Sequence, residues 1–180
     1  MRLAEVRLHQ GRWRDALKLL EDELPSPMEQ ANAPLLRADI LLRFVRDITG
    51  ARDAYQTVLA ATPEDSPDAG RAAWGLADCL FAAGEWDRAE RKYTALAELS
   101  ENVFVVGPPP PPGYPRGRSP ELMGIFGHRD EGRMSPAYAA LRTAEISLRR
   151  GDLQEAAARF KQVAQEHRAS AFGNDALERL

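Results

Sequence analysis

The chain has 180 residues, 44% of them hydrophobic and 28% charged, with a formal net charge of −3. This is enough apolar material for a core, gives no electrostatic footprint for DNA or RNA, and contains no apolar run long enough to cross a bilayer. A single cysteine, Cys79, excludes an intrachain disulfide and leaves the redox compartment open.

At the N-terminus, Met1 and Arg2 lead directly into helix-like alternation of apolar and charged residues, without the apolar core of a secretory signal. A short phrase follows: Gly11, then Trp13, Ala16 and Leu20. The same spacing returns as Gly84, Trp86, Ala89 and Tyr93, and again as Gly151, Leu153, Ala156 and Phe160. Before Gly84, the residues Ala73, Leu76, Ala77 and Leu80 form one helical stripe, and Trp86, Ala89, Tyr93 and Leu96 form the stripe that faces it. Glycine between two such runs ends the first helix in the left-handed conformation, and the alanine lets two helix backbones come close. Each phrase is therefore the middle of a helix–turn–helix hairpin, and hairpins of this kind must stack to bury their apolar faces.

Between the first and second phrases, Ser26–Pro27–Met28–Glu29 has capping-box spacing, and Pro34 moves the expected helix start to Asn32. A further unit without glycine follows: Leu35, Ala38 and Leu42, then Ala51, Tyr55, Val58 and Pro63, with its turn somewhere in Arg46 to Gly50. Ser66–Pro67 and Ser135–Pro136 each place a capping serine before a first-turn proline. Between them the pattern lapses. Val103 to Val106 reads as a short extended piece, and Pro108 to Pro112 must run as polyproline II. Tyr114, Pro115, Arg116 and Arg118 extend this segment, Ser119–Pro120 suggests one more cap, and Glu121 to Phe126 a turn or two of helix. After the third phrase, Asn174 to Leu180 begins another helix, so the sequence reads as part of a longer array.

This pattern resembles the tetratricopeptide repeat, a helical hairpin of about 34 residues. In that register the small residue of the first helix is Ala4, Asp39, Ala77 and Ala144, with Asp39 departing from the pattern. The small residue of the second helix is Ala16, Ala51, Ala89 and Ala156, and the large residue after it is Leu20, Tyr55, Tyr93 and Phe160. The stretch Gln165 to Phe172, leading into Ala176, Leu177 and Leu180, is also similar to the linker of bacterial envelope repeat proteins such as the Tol–Pal coordinator and outer-membrane assembly lipoproteins. The resemblance implies an all-α fold: a right-handed superhelix, or solenoid, of stacked antiparallel hairpins with one irregular Pro/Gly-rich insertion. Residues 1–103 would hold about three hairpins, the first truncated, 104–135 the insertion, and 136–180 a hairpin and the start of another helix.

No residue pattern points to catalysis. His9, His128 and His167 lie on different elements without metal-ligand spacing, and there is no nucleophile elbow, phosphate-cradling loop or dinucleotide fingerprint. Cys79 reads as a small packed residue, and the pairs Glu21/Glu23 and Asp87/Glu90 as solvated helix faces. The expected protein is non-enzymatic and cofactor-free. Its partner is a protein or peptide rather than nucleic acid, and the segment does not insert in a membrane. The resemblance places the binding wall on the first helices, at Leu36, Ile40, Arg43 and Phe44, at Arg71, Trp74, Asp78 and Phe81, and at Tyr138, Leu141, Glu145, Leu148 and Arg149. Trp74 has a competing reading as a core aromatic beside the small Ala73. The insertion has two readings as well: a docking arm presenting Pro108, Pro110, Pro112, Tyr114 and Arg116, or a plain solvated insertion, which its composition favours. Two alternative functions stand beside the scaffold: a bacterial envelope assembly factor, periplasmic if a signal precedes Met1, and the regulatory segment of a larger enzyme. Oligomeric state and compartment are left open.

Overall fold

The computed structural model describes residues 2–21, 27–105, 134–168 and 170–180. Among them there is no strand, and the chain falls into two compact units, Met1–Glu85 and Trp86–Leu180. The first unit contains α1 (Arg2–His9), α2 (Trp13–Glu21), α3 (Pro27–Ile40), a π turn (Leu41–Val45), α4 (Ile48–Ala61) and α5 (Pro67–Ala82). The second contains α6 (Trp86–Val105), α7 (Pro136–Arg150), α8 (Leu153–Glu166) and α9 (Ala171–Glu178). Helices adjacent in sequence pack as antiparallel neighbours within each unit, and α3 also meets α5, as α7 meets α9. This is the all-helical hairpin stacking that the repeat phrase implies.

The local signals act where they are read. Ser66 accepts the Ala69 N–H and Ser135 the Tyr138 N–H, each ahead of a proline at the first helical position. Gly11, Gly84 and Gly151 all take positive φ, at 74°, 77° and 89°, in the turn between two helices. Two expectations fail. The helix containing Pro34 begins at Pro27 and runs through the proline, which has no N–H to return to the preceding turn. The extended piece at Val103 is instead the end of α6, which continues helically to Val105. Residues 106–133, with the polyproline run, Tyr114, Arg116 and the Ser119–Pro120 cap, lie outside the described residues. Even so, α6 and α7 are direct packing neighbours, although residues 106–135 separate them in sequence.

The unit without a glycine explains its own irregularity. The buried residues of α3 are Ala33, Leu35, Ala38 and Ile40; those of α5 include Ala72, Trp74, Ala77 and Cys79; those of α7 include Ala139, Leu141, Ala144 and Ile146. The spacing is the same in all three, so the small residue of α3 is Ala38, and Asp39 stands one place further on. The π turn takes up the extra residue, with the Asp47 N–H reaching back to the Leu41 carbonyl at 3.0 Å. The turn itself falls on Arg46, whose φ of 66° matches that of the glycines in the other hairpins, and Asp47 then caps α4 by accepting the Gly50 N–H.

Two cores of the first unit run across its hairpins. One joins Leu35, Ala38 and Leu42 to Ala51, Tyr55 and Val58 and on to Ala72 and Cys79 of α5. The other gathers Leu8, Trp13 and Leu17 around Ala4, Ala16 and Ile40. In the second unit Leu141, Ala144, Ala156, Phe160, Val163 and Ala176 form a continuous cluster. Gly75 marks a close approach of α5 to α4: a Cβ there would stand 2.3 Å from the Tyr55 ring.

These contacts set three expectations for chemical unfolding followed by helical circular dichroism. Gly75→Ala drives a methyl into the Tyr55 ring and should cost about 1–3 kcal/mol. Gly151→Ala meets no atom but keeps a left-handed backbone, and should cost about 1–2 kcal/mol. Arg46→Gly should move the opposite way, gaining up to about 1 kcal/mol, with the relief partly offset by the freedom of glycine in the unfolded chain. Destabilisation by Arg46→Gly would show that its side chain, rather than its backbone, governs the turn.

Candidate functional site

In the first unit the side chains on α3, the π turn and α5 divide sharply. Ile40 is fully buried with Ala4 and Ala16, and Trp74 is buried as well, as its competing reading held, so neither is a wall residue. Burial follows from register: once Ala38 is the small crossing residue, Leu35 and Trp74 share one core position and Ile40 and Cys79 another. Leu36, Arg43, Arg71, Asp78 and Phe81 remain half-buried, and Phe44 and Val45 are exposed.

Between these helices lies a polar hub centred on Asp39. The Tyr55 hydroxyl donates to its carboxylate at 2.5 Å, and Arg43 and Arg71 approach it at 3.7 Å. Arg71 belongs to α5, so the hub links the first helices of two successive hairpins. Burial, then the Asp39 charge, raise the Tyr55 hydroxyl far above its ordinary range, which keeps it a neutral donor. Burial likewise pushes the Cys79 thiol up to about 12, so it packs as the small inert residue its position suggested.

The second unit repeats the arrangement. Tyr138 and Glu145, expected on the wall, are both buried, as is Leu141. The Tyr138 ring meets Tyr93 edge-on at 6.0 Å and Phe172 at 5.4 Å, and its hydroxyl accepts from Arg142 at 2.9 Å. Glu145 receives Arg142 and Arg179, each at 2.6 Å, and a carboxylate so enclosed needs both partners. Arg149 and Leu148 are exposed. Spacing alone missed the position that unites the two hubs. An acidic residue directly follows the buried first-helix alanine in every hairpin: Ala4–Glu5, Ala38–Asp39, Ala77–Asp78 and Ala144–Glu145. The dipeptide is readable in sequence once the π turn is allowed for.

Glu90 is also not the solvated carboxylate expected. It accepts from Arg150 at 2.7 Å and from Arg159 at 2.6 Å, while Arg150 also binds the exposed Asp87. Burial by itself would raise the Glu90 carboxyl, but the hydrogen bonds from Arg159 and Arg150 outweigh it and hold the group below its usual range. These charges clamp α6, α7 and α8 together.

Nothing in these arrangements assembles a reaction centre. Among the described residues no group of three His, Cys, Asp or Glu could hold a metal ion. No helix among them is long and apolar enough to cross a membrane. The docking-arm residues Pro108, Pro110, Pro112, Tyr114 and Arg116 lie outside the described residues, as does His128. What each unit offers is a set of half-buried and exposed side chains on packed helices.

A tetratricopeptide repeat family model matches residues 1–66 and 35–102, and a second tetratricopeptide repeat model matches residues 138–170. No curated protein and no solved structure matches the chain. The matches concern the repeat alone and lend no support to the envelope resemblance.

The Glu90 clamp yields a pH signature. A carboxyl depressed in the folded state contributes stability above its unfolded pKa, and that contribution is lost as pH falls through the lower folded value. Stability should therefore decline below the ordinary carboxylate range. Glu90→Gln should be less stable at neutral pH and show a shallower decline, measured as urea midpoints across an acid series. Parallel curves for the two proteins would remove Glu90 from this role.

Proposed function

The chain belongs to the tetratricopeptide repeat family, whose members are generally scaffolds for protein–protein interaction, and from that premise we propose that it binds an extended segment of a partner protein along the first helices of its hairpins. The observation that carries this reading is the division of side chains on α3 and α5. The crossing alanines and the large residues beside them are buried, while Leu36, Asp78 and Phe81 keep part of their surface open beside Arg43 and Arg71. An apolar and charged rim of this kind, set on a rigid core, is the composition of an interface. With Ile40 and Trp74 committed to the interior, the open residues of the first unit are fewer than the repeat pattern suggests, and Asp78 and Phe81 on α5 carry the reading.

The rim mixes carboxylates, arginines and apolar groups, which favours a partner segment that is itself mixed rather than uniformly charged. We further propose that the residues between Val105 and Ser135 form an insertion that leaves the packing of α6 on α7 undisturbed.

The test uses affinity capture from cell extract with the full chain as bait. Asp78→Lys combined with Phe81→Ala should reduce recovery of the wild-type partners by about tenfold or more, a loss of about 1.4 kcal/mol, with an unchanged helical spectrum. Undiminished recovery by the double variant would overturn the assignment to α5.

A further inference from the structure

We draw no further inference here: the strongest candidate, the open groove along α6 lined by Asp87, Glu90, Arg91, Thr94 and Glu98, carries nothing because Arg150 and Arg159 already hold Asp87 and Glu90 in the clamp described above, and nothing in the structure shows what covers it.

Discussion

The distance at which two helices can cross governs both units. Ala38, Ala77 and Ala144 on the first helices, and Ala51, Ala89 and Ala156 on the second, are essentially without exposed surface. In the first unit Ala38 and Ala51 pack in one cluster with the ring of Tyr55, and in the second Ala144 and Ala156 with that of Phe160. Burying such a ring contributes on the order of 1.5–3 kcal/mol, but only if the next hairpin closes over it. Gly75 shows how close that closure is, since α5 gives up even a Cβ to seat the Tyr55 ring. The core is thus a chain of local crossings, each dependent on its neighbour.

Seating a tyrosine rather than a phenylalanine at one crossing has polar consequences. A buried hydroxyl must find a partner, and Asp39 supplies it. The half-buried carboxylate then draws Arg43 from its own hairpin and Arg71 from the next. In the second unit Glu145 holds the equivalent position and is enclosed by Arg142 and Arg179, with Tyr138 bound to the same Arg142. The acidic residue after each crossing alanine therefore serves, in these two cases, to tie successive first helices together. Several charges that a repeat template would aim outward are therefore committed to neighbours within their own unit.

What could be read from sequence was what is local. Turn glycines, serine–proline caps and the alternation of small and large residues act over a few residues, and they place most of the hairpins. Asp39 was misregistered because a spacing rule cannot register an inserted residue that is absorbed by widening one turn. Pro34 and the β-branched run at Val103 read locally as breaks, yet the helices that contain them continue through both. The Glu90 clamp was invisible for another reason: its arginines lie 60 and 69 residues away, and only the stacking of α6, α7 and α8 brings them together. Trp74 and Tyr138 carry the composition of a binding surface, yet their burial is decided by which face of the helix the register puts them on.

The same one-dimensional logic explains where such a chain can vary. A residue added inside a crossing would displace every ring beyond it, whereas one added after the crossing is confined to a single turn. The π turn is of the second kind: Ala38 and Ala51 keep their places although 13 residues separate them, against 12 between Ala77 and Ala89. The junction between α6 and α7 obeys the same rule at larger scale, since residues 106–135 intervene and the two helices still pack. Departures from the repeat therefore collect at turns and junctions, where the stack does not constrain them. At one such turn an arginine holds a backbone conformation that glycine would adopt freely, and the packing beyond it is unaffected because Asp47 restarts the next helix at once.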